Sequence, residues 1–339
     1  MSTALFTSID TYFSIYFGLP VFIFGFVGNI INICILFSTR SNSSSFLLLI
    51  SSIFNLITLC FGLFARVLTL GFGVDPSPTN VIWCKSRLFL SYVGTLMALT
   101  TICFASIDRF LLTCRNVQWR KRSQLSTAKL AISIAILVVI GHNISYLIFY
   151  TIVEVKTTTG NISTKCSVMT SGFVLYANYF VRPVLLGVLP GTILIISGFL
   201  TYRNITSIAA VQLRGTFQRS LTKMILLQII IIIIPITPSA IFNIYQNITS
   251  SVVKTSYRLA LETLVSDMTN IFLYVSYACN FYVYIISSSC YRQDFLRFIC
   301  CSNENHLNNR VGTVTKERIE MNTGSTMRQL PRSTNQMQN

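Results

Sequence analysis

The sequence predicts an all-α membrane protein, a seven-transmembrane helix bundle with a short amphipathic membrane-surface helix after the seventh span. Composition is the first reason. Of the 339 residues, 52% are hydrophobic and 11% charged, and the mean hydropathy is +0.63, whereas about a quarter of a soluble domain is charged. Length is the second: a helix needs about 20 apolar residues to cross a hydrocarbon layer of about 30 Å, and seven stretches of the chain qualify. Helices are the economical spanning element, because open strand edges leave backbone groups unpaired in lipid.

The first stretch runs from about Ile15 to Phe37 without a charge, and the second from Phe46 to Leu70 with Arg66 as its one interruption. The third is Leu88 to Leu112, charged only near its end. A fourth lies between Lys129 and Glu154, and a fifth from about Tyr179 to Tyr202 contains Arg182. The sixth fills the uncharged interval between Lys223 and Lys254, and the seventh runs from Leu264 to Ser287 with Asp267 near its start. Residues 1–39 hold no Lys or Arg and their apolar run is long, which favours a retained first span over a cleaved signal peptide.

Orientation follows from the basic residues, which collect on the cytoplasmic side of short loops. With the amino terminus outside, the inner segments hold Arg40, then Arg115, Arg120, Lys121 and Arg122, then Arg203, Arg214 and Arg219. In the outer segments Lys156 and Lys165 share a loop with Glu154, and Lys254 and Arg258 share theirs with Glu262. The predicted protein is therefore a multi-pass plasma-membrane protein with its carboxyl terminus in the cytoplasm. Its net charge of +16 is read as attraction to the anionic lipid leaflet, and no motif points to nucleic acid.

The predicted plan is an extracellular amino terminus over 1–14, a membrane domain over 15–287, a surface helix over 288–301 and a disordered cytoplasmic tail over 302–339. In the surface helix Tyr291, Phe295, Leu296, Phe298 and Ile299 alternate with Arg292, Asp294 and Arg297 in a helical pattern. Cys300 and Cys301 close it as a candidate S-palmitoylation pair, on the weak signal of two cysteines near a membrane. Cys34, Cys60, Cys103 and Cys279 fall within spans and read as small apolar packing. Cys84 and Cys166 both fall on the oxidising side, where a disulfide between them is permitted and two free thiols are the alternative. Asn161-Ile162-Ser163 is an outward glycosylation signal, and Asn247-Ile248-Thr249 a poorer one near the membrane.

Particular polar residues recur at particular depths. The first span carries Gly28-Asn29, the third begins at Cys84 and ends in Asp108-Arg109-Phe110, and the seventh ends in Asn280-Phe281-Tyr282-Val283-Tyr284. Cys84 and Arg109 are separated by about seven helical turns, about 37 Å of rise, which is the depth of a membrane. In order and spacing these motifs resemble those of rhodopsin-like G-protein-coupled receptors from Gly28 to Cys301.

The resemblance implies that Asp108 restrains Arg109 at rest, and that Arg109, once freed, helps form the inner cavity that receives a G protein. It implies that Asn29, Asn55 and Asn280 sit at matched depth as an interhelical polar network. Pro238 would supply the sixth-helix kink, with Pro235 as the lesser candidate, and Pro190 one in the fifth. The chain also departs from the family. Phe110 replaces a tyrosine. Phe281 stands where proline is expected, which predicts a weaker kink, and Asn55 replaces the aspartate of the family's sodium pocket. Trp83 and Trp119 are the only tryptophans, so the usual ones of the fourth and sixth spans are missing.

Ionisable residues in the outer halves of spans are functional candidates because their burial is expensive: Arg66, Arg87, Arg182 and Asp267. If the arginines converge they make a partly basic cavity for an acidic group or a peptide carboxylate, while Asp267 could receive an amine or a peptide arginine. The plain alternative is an Arg–Asp pair that satisfies itself. Ser91 stands where aminergic receptors have aspartate, and Tyr274 where opsins have lysine, which disfavours both. Leu200-Thr201-Tyr202-Arg203-Asn204-Ile205 resembles invertebrate FMRFamide-like neuropeptide receptors. The implied partners are an extracellular peptide or small-molecule ligand, a heterotrimeric G protein, arrestin-like proteins and the lipid bilayer. A small-molecule chemosensor of the same fold is one alternative, and a seven-helix transporter, for which the chain has few intramembrane acids, is another. His142 and His306 cannot share a zinc site, and neither an enzymatic activity, a metal nor a cofactor is expected.

Overall fold

The computed structural model describes residues 3–114, 116–156, 162–206 and 216–300. Six helices in it are long and apolar enough to cross a membrane: α1 (Ala4–Ser38), α2 (Ser43–Phe72), α3 (Val81–Thr113), α4 (Leu125–Phe149), α5 (Ser171–Ile205) and α6 (Arg219–Ile248). A bent pair, α7 (Ser256–Ala278) and α8 (Asn280–Ser287), makes a further span if it counts as one. The chain is thus an all-α membrane bundle by the length and apolarity of its helices. Asn161, Cys301 and the tail 302–339 lie outside the described residues.

The burial pattern is that of a protein dissolved in hydrocarbon. On α4, Leu137 is 73% and Val138 64% exposed, so the outward face is as apolar as a core. Polar side chains turn inward instead: Asn29, Asn32, Ser52, Asn55, Thr58, Thr101 and Gln228 are all buried. A soluble bundle would reverse this arrangement. The third helix occupies the middle, packing on α2, α4, α5 and α6, while α7 and α8 close the ring between α6 and α1.

Local chemistry sets the helix ends. Asn42 caps α2 by accepting from the Ser44 amide at 3.1 Å, and Asn80 caps α3 by accepting from the Trp83 amide at 3.0 Å. α2 stops at Gly73, whose φ of 67° is the left-handed conformation a glycine C-cap supplies. Three spans contain wider π segments, at Ser14–Gly18, Leu59–Phe64 and Ala177–Val188. In α5 this segment takes in Pro183 and ends two residues before Pro190, which lies in the α-helical part that follows.

The structure changes several expectations. The first helix begins at Thr3 rather than near Ile15, because Phe6 packs edge-on against Tyr257 and Asp10 reaches Asp267, giving residues 3–14 a docking surface. The loop after α4 is an antiparallel hairpin of β1 (Tyr150–Lys156) and β2 (Ile162–Val168), with Ile152 opposite Cys166. β-branched residues at Thr151, Ile152 and Val153 suit such a pairing. The sharp bend falls in the last span, 46° between α7 and α8, whereas α6 stays one helix across Pro235 and Pro238. The weaker kink predicted from Phe281 is therefore corrected.

No proline is needed at that bend because other groups supply what proline usually frees. Amide bonds tighten to three-residue spacing at Tyr274 and Tyr277, and the Tyr277 carbonyl accepts from Asn29 Nδ2 at 2.9 Å. α1 comes close enough for this only through glycine: a Cβ on Gly25 would lie 2.6 Å from that of Ala278, and one on Gly28 would lie 2.9 Å from that of Phe281. Residues 292–300, part of a separate unit, are helical and carry the Arg297–Asp294 pair at 3.8 Å.

Candidate functional site

α3 carries a distinct site at each end. At its start Cys84 is joined to Cys166 of β2, with Cα atoms 5.8 Å apart. This ties the hairpin to the helix and sets Tyr150, at the hairpin's first position, into the wall of a cavity of about 200 Å³. Arg66 of α2, Arg87 of α3 and Arg182 of α5 line the same cavity, so the three predicted arginines converge. Tyr92, Tyr274, Tyr277, Asn243 and Asn270 join them.

The arginines are differently partnered. Arg66 Nη1 lies 2.5 Å from Asp267 Oδ1, the self-satisfying pair anticipated as the plain alternative. Arg87 Nη1 donates to Ser77 Oγ at 3.1 Å and lies 3.6 Å from Asp75. The Arg182 guanidinium neighbours the Tyr92 phenol. Tyr92 stacks on Tyr146 with centroids 4.2 Å apart, and Tyr146 on Tyr150 at 5.7 Å. Burial pushes the Tyr150 phenol up to about 12, with Tyr92 adding to the effect and Arg182 opposing it, so at neutral pH it keeps its proton and can donate. Asp267 does not face this cavity. It lines a neighbouring one of about 380 Å³ with Asp10 and Phe6.

At the other end Asp108 and Arg109 form a closed polar knot. Arg109 is 1% exposed, and its Nη2 lies 3.1 Å from Asp108 Oδ2. The carboxylate also accepts from Ser43 at 3.1 Å and from the hydroxyls of Ser44 and Ser123, while Ser44 accepts from Arg109. Ser43 and Ser44 occupy the first turn of α2, so the carboxylate sits against the positive end of that helix. Phe110 is half-buried beside them.

The predicted asparagine network divides. Asn55 Nδ2 reaches Asn29 Oδ1 at 3.3 Å, but Asn280 turns to α6, where its Oδ1 accepts from Gln228 Nε2 at 2.9 Å. Tyr284 donates to Gln228 Oε1 at 2.8 Å, which completes a bridge between α6 and α8. Just beyond, Ser220 and Ser288 are 2.5 Å apart, and Tyr291 donates to Asn32 at 2.5 Å. Gln228 was legible in principle: it is the lone strongly polar side chain in the run from Ile225 to Ile234. Nothing in sequence marks Ser43, Ser44 and Ser123 as carboxylate partners, since they come from separate segments. Cys300 is an exposed free thiol. Among the described residues no cluster of His, Cys, Asp or Glu could hold a metal.

Compared with protein-family models and with curated proteins, the chain finds no match.

Proposed function

We propose that the chain is a rhodopsin-like G-protein-coupled receptor with seven spans, its amino terminus extracellular and its carboxyl terminus cytoplasmic. It would convert binding of an extracellular peptide or small molecule into activation of a heterotrimeric G protein. One observation carries this reading: a single helix, α3, holds the disulfide-tethered hairpin at its first turn and the Asp108–Arg109 pair at its last. The cavity beside the disulfide is the proposed ligand site, and the arginine knot is the proposed switch.

Two sets of contacts at the α7–α8 bend support coupling between them. Tyr277 lines the cavity, its carbonyl binds Asn29, and Asn29 binds Asn55. Asn280, one turn further on, is held by Gln228, as is Tyr284. A ligand that moved the α7–α8 bend would disturb these bonds, and α6 could then leave α8 and uncover Arg109. Palmitoylation at Cys300, glycosylation at Asn161 and recognition by arrestin-like proteins belong to the same proposal.

The test is a ligand screen in cells with a G-protein readout. Arg109→Ala should abolish the response while surface expression persists. Tags at the two ends of α3 should be reachable from opposite sides of the membrane. Tags reachable from one side only, or a response that survives Arg109→Ala, would defeat the receptor reading. Solute uptake independent of G protein would favour the transporter.

A further inference from the structure

The cavity arginines differ in charge balance. Arg66 is matched by Asp267 at 2.5 Å and Arg87 by Asp75 at 3.6 Å. Among the described residues Arg182 has no carboxylate within ion-pair distance. Its neighbour is a phenol, and its side chain stays accessible in the cavity. No Asp, Glu or Lys among the described residues lines this space. Asp10 lines the neighbouring cavity and not this one. Of the three guanidiniums at this cavity, Arg182 is therefore the one without a carboxylate beside it among the described residues.

Within a bundle surrounded by lipid, an unmatched charge is expensive, and its counter-charge is worth more than it would be in water. The planar fork of a guanidinium fits a carboxylate through two parallel bonds. We propose that this cavity takes a ligand bearing a single carboxylate, either a small organic acid or the free carboxyl terminus of a peptide, with Arg182 as the anchoring cation. The inference rests on the reading of the cavity as the ligand site. An amidated terminus brings no charge to Arg182, and a cationic one meets three arginines. A phosphate dianion overshoots the single missing charge. Tyr92 and Tyr150 stand beside the anchor as further polar contacts, and Leu186, Ile236 and Leu273 offer apolar wall to the ligand body.

The experiment follows thermal unfolding of the full chain in detergent with four probes: a pool of small monocarboxylic acids, the matched pool of their amides, a pool of peptides with free carboxyl termini, and the same peptides amidated. An acid pool should raise the unfolding temperature of the wild type while its amide counterpart leaves it unchanged, and whichever acid pool acts identifies the source. Arg182→Gln should weaken the active acid about tenfold or more, the worth of a charge-assisted bond. Arg182→Lys, which keeps the charge and loses the fork, should fall between, and serves as the folded control should the glutamine variant fail to fold. Equal or larger shifts with amides, no shift with either acid pool, or undiminished binding in Arg182→Gln would overturn the proposal. A G-protein response to an amidated ligand would remove this inference and leave the receptor reading intact. Carboxylate binding without any G-protein response would do the reverse.

Discussion

At the disulfide end of the bundle three arginines face a water-accessible cavity, and one of them lacks a carboxylate partner among the described residues. At the opposite end Arg109 is sealed, with a carboxylate beside it and Ser43, Ser44 and Ser123 satisfying that carboxylate in turn. The same side chain thus has two uses in one bundle. Where water reaches the guanidinium, its partner can be exchanged for a ligand. Where water is excluded, the partner must be built in, and the pair opens only when helices move. Buried ion pairs rarely add much stability, but losing one partner is costly, so under the proposed function the sealed end would serve as the latch and the open end as the ligand surface.

The contrast can be broken most forcefully at the latch. Asp108→Asn keeps the shape but leaves Arg109 without its counter-charge, and should cost about 3–5 kcal/mol. Thermal unfolding of the purified chain should show a large drop, accompanied by raised basal G-protein signalling. An unchanged unfolding temperature would mean that the serines alone hold the arginine. Next in size is Cys166→Ser, which releases the hairpin from α3 across a separation of 82 residues and should cost about 2–4 kcal/mol. Here hydrogen exchange should rise in 150–156 and 162–168 while the last turn of α3 stays protected. Faster exchange at both ends alike would show that the two regions are not separable.

Gln228→Leu is smaller and tests the connection. It removes the Gln228 amide from Asn280 Oδ1 and the Tyr284 hydroxyl in a buried site, which should cost about 1–3 kcal/mol and raise basal signalling without touching the cavity. Wild-type stability with wild-type basal signalling would exclude it as a bridge. The smallest effect is expected from Asn55→Ala, which removes one bond of 3.3 Å to Asn29. Interhelical bonds of this kind average about 0.6 kcal/mol, so unfolding should shift only slightly, and a large loss would point to a wider role for Asn55.

Much of the bundle could be read without coordinates. Apolar stretches located the spans because lipid leaves a helix no alternative way to pair its backbone, and that constraint acts residue by residue along the chain. The distance between Cys84 and Arg109 follows from helix rise alone. Asp267 and Arg66 were both visible as candidates, as was the possibility that they satisfy each other. The hairpin was missed because its strands are short and lie between spans, where strand patterning competes with the ordinary polarity of a loop.

The tertiary structure decided which polar groups meet. Asn280 was expected with Asn29 and Asn55 yet bonds to Gln228, since the 46° bend between α7 and α8 turns it towards α6. That bend forms without proline because Asn29 satisfies the Tyr277 carbonyl, a contact made across the chain from α1. The serines around Asp108 come from two segments brought together by packing alone. By itself the sequence determined which segments enter the hydrocarbon, a matter of local apolarity. Only the fold decided which charge is matched by a carboxylate and which is not, because charge pairing depends on distances between helices and not on any property of a single one.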